Sequence, residues 1–126
     1  MQKILIVEDD KFLRDLLVRK LIKAEFKTDV AIDGDEAIKK TNSFMPDLIL
    51  LDLIIPKIDG FEVLKQVKEN EITMYIPVVI LSNLGQQEEV EKGLKLGAVD
   101  YLVKAHLTPD EIVDKVRKIL QSRKEA

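Results

Sequence analysis

The sequence predicts an α/β fold: a five-stranded, doubly wound parallel sheet in the order 2-1-3-4-5 with helices on both faces. Three observations lead there. Three short apolar runs are punctuated by polar residues or proline, the stretches between them carry helical periodicity, and the two patterns alternate along a chain of 126 residues, a length suited to one compact domain.

The elements follow in chain order. Ile4 to Val7 is a continuous apolar run too short for a helix, which predicts a strand covered on both faces. Leu13, Leu16, Leu17 and Leu21 share one face of the first helix, and Asp10 suits its N-cap. Thr28 to Ala31 is a weaker second strand. Ala37 and Ile38 mark a second helix, with Asp35 as its expected start. Leu48 to Leu51 repeats the buried-strand pattern, and Phe61, Leu64 and Val67 form the next helical stripe after Asp59. Val78 to Leu81 is the fourth strand. Val90 and Leu94 follow it on a helix expected to start at Ser82 and stop at Gly97. Tyr101 to Val103 is a thin fifth strand, and Ile112, Val116, Ile119 and Leu120 line the last helix. Residues 1–126 therefore read as one domain, with 121–126 as a charged tail.

Hydrophobicity orders the sheet. The weak second and fifth strands belong at the edges and the other three inside, which the order 2-1-3-4-5 satisfies. Winding then reverses between strands one and three, and ligands bind outside the carboxyl ends of the strands at such a switch point. There the chain carries Glu8-Asp9-Asp10 after strand one and Asp52 after strand three. Carboxylates about 5 Å apart repel by roughly 3 kcal/mol at an effective dielectric of about 20, so the cluster calls for a cation or a raised pKa. With no cysteine and the single histidine, His106, far along the chain, the hard oxygen donors favour magnesium over zinc. Any one of these acids could equally be a helix cap; the constellation is what points to chemistry.

Two further groups reach the same edge, Ser82 at the end of strand four and Lys104 at the end of strand five. Alone, a serine before a helix is an ordinary cap and a lysine an ordinary surface cation. Together, a carboxylate nucleophile, acids for a metal, a hydroxyl and a lysine are what forming an aspartyl phosphate requires, because phosphoryl transfer depends on positioning and on neutralising the equatorial oxygens.

Composition removes other classes. Twenty Lys and Arg against 23 Asp and Glu give a net charge of -3, which offers no electrostatic case for direct nucleic-acid binding. The N-terminal apolar run is too short for a signal peptide or a membrane span, so no membrane insertion and a cytoplasmic location are expected.

These residues resemble the receiver domain of two-component response regulators, in its single-domain, chemotaxis-regulator-like form with a flavodoxin-like fold. The likeness rests on Ile4-Leu5-Ile6-Val7-Glu8-Asp9-Asp10, on Asp52-Leu53-Ile54-Ile55-Pro56-Lys57-Ile58-Asp59-Gly60, on Pro77 to Ser82 and on Gly97 to Lys104, in order along the chain. The resemblance implies that Asp52 accepts a phosphoryl group from a histidine kinase or phosphotransfer protein. It implies Mg2+ held by Asp9, Asp52 and the carbonyl of Ile54, with Glu8 acting through water. Lys104 and Ser82 would hold phosphate oxygens, and Ser82 and Tyr101 would form a switch. A downstream protein would then read helix four, strand five and helix five, where Glu88, Glu91, Lys95 and Lys118 are candidate contacts. Such a chain is not a conventional enzyme: it catalyses its own phosphorylation and slow autodephosphorylation.

The chain departs from the family pattern beside the site. Ala105 stands where proline usually follows the lysine, so the Lys104-Ala105 bond is either trans with an adjusted loop or a cis bond costing about 2.5 to 4 kcal/mol. Asn83 replaces the small residue usual after the hydroxyl. Ile54 and Leu84 flank the path of an attacking water and cannot orient it, which predicts slow phosphoryl loss.

Three other readings are weaker. A phosphatase using an aspartyl phosphate usually carries a second acid where Ile54 stands, and a nucleotide or flavin binder needs a glycine-rich turn where Glu8-Asp9-Asp10 stands. A receiver-shaped interaction module that is never phosphorylated is opposed by the complete set of acids, hydroxyl and lysine.

Overall fold

The computed structural model describes residues 1–125. Strands β1 (Lys3–Val7), β2 (Lys27–Ala31), β3 (Leu48–Leu51), β4 (Val78–Ser82) and β5 (Asp100–Val103) alternate with helices α1 (Lys11–Lys23), α2 (Gly34–Phe44), α3 (Gly60–Glu69), α4 (Gln87–Lys95) and α5 (Pro109–Glu125). All strand pairs are parallel and the sheet order is β2-β1-β3-β4-β5. The expected fold class and order are therefore observed.

Continuous apolar runs are the sequence signature of strands with a core on either side, and the side-chain period of two divides them. Ile4, Ile6, Leu48, Leu50, Val79, Leu81 and Leu102 meet Leu17, Leu21, Ile112, Val116 and Leu120 of α1 and α5. Leu5, Val7, Ile49, Leu51, Val78 and Ile80 meet Ala37, Val63, Leu64 and Val67 of α2 and α3, with Tyr101 packed on the same side. Fully burying each such side chain contributes about 1.5–3 kcal/mol, so both layers hold the sheet.

The helix ends correct two expectations and support three. Asp10 caps α1, its Oδ1 accepting from Phe12 N at 3.0 Å, and Asp59 caps α3, accepting from Glu62 N at 3.0 Å. Gly97 follows α4 with φ 111°, a left-handed stop that glycine takes without strain. Helix α2 starts at Asp33, not Asp35: Asp33 Oδ1 accepts from Glu36 N at 2.8 Å, leaving Asp35 exposed in the first turn. Ser82 does not start α4 either. It belongs to β4, and α4 is capped at Gln86, whose N–H donates to Glu89 Oε1 at 3.1 Å. A loop of residues 83–86 therefore separates Ser82 from its helix, room the sequence pattern did not reveal. Residues 121–125 of the charged tail continue α5; residue 126 lies outside the described residues. Among the described residues no helix is long and apolar enough to cross a membrane.

Candidate functional site

The ladder carries the acids to the sheet edge. Glu8 N donates to Ala31 O and Asp52 N to Val7 O, each at 3.0 Å, so both backbones extend the pairing one step past their strands. Counted on by twos, Glu8, Asp52 and Lys104 stay in phase with the α1/α5 side, whereas Ser82 and Tyr101 stay in phase with the α3/α4 side. Gly60 lets the loop after β3 close against Asp52, because a Cβ there would stand 2.5 Å from the Asp52 carbonyl oxygen.

Lys104 joins the acids. Its Nζ donates to Asp52 Oδ2 at 2.9 Å and lies 2.6 Å from Glu8 Oε1. The Glu8 contact is a charge contact without hydrogen-bond alignment, which leaves the buried Oε1 without a hydrogen-bond partner. Glu8 and Asp52 are only 2% and 6% exposed, and Asp9 is open to solvent. Burial pushes the Glu8 carboxyl above its usual range, against the opposing pull of Lys104. For Lys104, burial works to lower the pKa, but its contacts with Glu8 and Asp52 prevail and hold it above the ordinary lysine value.

Glu8, Asp9 and Asp52 each bring a carboxylate oxygen within 4.8 Å of the others. A hard divalent cation fits this group: the donors are all oxygens, and the single Lys104 ammonium is shared by two of the three carboxylates. A cleft of about 180 Å³ opens onto Asp52 and is lined by Ile54, Ser82, Asn83, Leu84 and Lys104. Ile54 is 62% exposed at its rim.

Ser82 is fully buried, and its Oγ accepts from Leu84 N at 3.2 Å. The Tyr101 hydroxyl donates to the Leu84 carbonyl, and its ring lies against Gly93 of α4. Burial, followed by the nearby Glu89 charge, raises the Tyr101 phenol. The readout candidates Glu88, Glu91, Lys95 and Lys118 are all exposed on α4 and α5.

Three partners were not read from the sequence. Arg14 Nη1 donates to the carbonyls of Glu8 at 3.1 Å and Asp9 at 3.3 Å, steadying the acidic loop. Gly93 seats Tyr101, a role its mid-helix position could have signalled. Asn83 Oδ1 accepts from Ala105 N at 3.1 Å. Among the described residues there is no cis peptide bond, so the bond between Lys104 and Ala105 is trans, and Lys104–His106 forms a short 3-10 turn.

A doubly wound parallel sheet with acids and a lysine gathered at its switch point defines a flavodoxin-like α/β protein with its polar crevice at the carboxyl ends of the strands. The comparisons narrow it: the family described as the response regulator receiver domain matches residues 4–117, and the chain belongs to that family. It is 37% identical over 120 residues to the alkaline phosphatase synthesis transcriptional regulatory protein PhoP of Bacillus subtilis, covering 95% of this chain and 49% of that one. It is similar to the receiver domain of Francisella response regulator 1452, at 35% identity and a TM-score of 0.88, covering 98% and 99% of the two chains. Chemotaxis protein CheY4 of Vibrio cholerae superposes with a TM-score of 0.86 at 28% identity, over 94% and 98% of the chains. The chain spans about half the length of the curated relatives it matches.

Proposed function

We propose that this domain is a phosphoacceptor switch in which Asp52 takes a phosphoryl group from a histidine kinase or phosphotransfer protein. The observation that carries the reading is the buried Asp52 carboxylate, with the Lys104 ammonium at 2.9 Å and the oxygens of Glu8 and Asp9 within 4.8 Å. An Asp52 oxygen attacks the phosphorus of a phosphohistidine. The P–N bond breaks, its electron pair stays on the imidazole nitrogen, which takes a proton from solvent, and the new P–O bond makes an acyl phosphate. Lys104 and Ser82 hold the phosphoryl oxygens.

Asp9, Asp52 and the Ile54 carbonyl would hold Mg2+, with Glu8 acting through water. When bound, the ion supplies positive charge beside the phosphoryl oxygens. Ile54 and Leu84 line the cleft without a hydrogen-bonding side chain, which favours slow autodephosphorylation. The new charge, roughly -1.5 to -2, biases the Ser82–Tyr101 pair, and a downstream protein reads the α4, β5 and α5 face. Residues 1–126 act as one receiver domain in the cytoplasm, and the net charge of -3 argues against direct nucleic-acid contact by it.

Incubation with acetyl phosphate and Mg2+, followed by intact mass, tests the central claim. One added phosphoryl group is expected in wild type and none in Asp52→Asn. A folded wild type that gains no mass would end the reading.

A further inference from the structure

The two departures beside the site meet each other. The N–H of Ala105 donates to Asn83 Oδ1 at 3.1 Å, joining the loop after β4 to the loop after β5. Ser82 and Val103 are register partners, so Asn83 and Lys104 leave adjacent strands side by side. A proline at position 105 would have no N–H to give, and a small residue at position 83 would have no oxygen to receive it. The orientation of the Asn83 amide follows from chemistry, because a backbone N–H can only donate and must face the carbonyl oxygen.

We propose that Asn83 is a positioning residue for phosphoryl transfer, acting through Lys104. Its side chain clasps the residue next to Lys104 and holds the trans Lys104–His106 turn so that Nζ reaches Asp52 at 2.9 Å and Glu8 at 2.6 Å. The same side chain lines the cleft over Asp52, so the clasp ties the wall of the site to the loop carrying its cation. The role rests on the phosphoacceptor reading and extends it to a hydrogen-bonded pair that stands where the resemblance expects a proline after the lysine.

The test is a double-mutant cycle on the full chain, with initial rates of phosphoryl uptake from acetyl phosphate and Mg2+ and with amide exchange of Ala105 measured without a phosphodonor. Asn83→Ala is expected to slow uptake by about fivefold, the equivalent of one exposed hydrogen bond, and to speed Ala105 exchange. Ala105→Pro is expected to slow uptake similarly. The double variant should be no slower than either single one, and Ala105→Gly, which keeps the N–H, should stay near wild type. Unchanged melting temperatures separate loss of aim from loss of fold.

Equal uptake in wild type and Asn83→Ala, or losses that multiply in the double variant, would overturn the positioning role alone. Absence of any uptake by wild type overturns the phosphoacceptor reading and this role with it.

Discussion

The two sides of the cleft are built by different means. On the α1/α5 side, Glu8 and Asp52 hang from backbones that extend the sheet ladder, with 3.0 Å bonds to Ala31 and Val7, and Lys104 bridges them. On the α3/α4 side, the backbones of Ser82 and Tyr101 are paired in the sheet as well, but each side chain is held by a hydrogen bond to Leu84: Ser82 Oγ accepts from its N–H, and the Tyr101 hydroxyl donates to its carbonyl. The charged side chains hold one another, because withdrawing Lys104 would leave two buried carboxylates without their cation. Groups held by single hydrogen bonds of about 1 kcal/mol each can shift when a new charge arrives. The buried charges sit on the more firmly held side of the cleft, and the side chains held by single hydrogen bonds sit on the other.

The comparison breaks most sharply at Lys104. Lys104→Met should slow phosphoryl uptake about 100-fold or more, as loss of an aimed charge-stabilising donor does, and a loss under tenfold in the mass time course would contradict its placement. The same variant should be less stable at neutral pH, because Glu8 and Asp52 lose their shared cation. Since the folded-state pKa of Lys104 is raised above 10.5, its contribution is fully present below that pH. It fades as pH rises through the folded value, so urea unfolding should show the gap between wild type and variant narrowing in that range.

A second test asks whether the acidic side takes a cation. Mg2+ at ten times its dissociation constant should stabilise wild type by about 1.4 kcal/mol, read as a rise in melting temperature. Asp9→Asn should lose most of that rise; an equal rise in both proteins would remove Asp9 from the ligand set.

Next comes the rim of the cleft, where Ile54→Asn should shorten the phosphoryl lifetime about fivefold by giving water a hydrogen-bonding guide. An unchanged decay of the phosphorylated mass would show that Ile54 only packs there.

The smallest effect is expected on the α3/α4 side. A Cβ at Gly93 would lie 2.5 Å from Ile80 Cδ1 and 3.2 Å from the Tyr101 ring. Gly93→Ala should thus cost about 1 kcal/mol net, overpacking of about 1–3 kcal/mol being partly offset by the better helix propensity of alanine. Phosphoryl uptake should stay near wild type while the Tyr101 ring resonances shift. A stabilised variant with unmoved resonances would mean that the ring does not depend on this seat.

The sequence by itself determined the sheet and the acidic cluster, because both rest on local pattern: apolar runs such as Ile4–Val7 and Leu48–Leu51 mark strands covered on both faces, and polar residues just past them must stand at the sheet edge. Ser82 and Lys104 were legible for the same reason. Where a helix starts after a loop was not, since Asp33 and Asp35 are equally good caps in isolation and only the path of the chain chooses between them.

Tertiary structure alone decided the contacts that cross between loops: Arg14 on the carbonyls of Glu8 and Asp9, Tyr101 on Leu84 over Gly93, and Asn83 on Ala105. Each joins residues whose spacing along the chain carries no period. A hydrogen bond between two loops depends on where the strands set them down, and no local propensity encodes that distance.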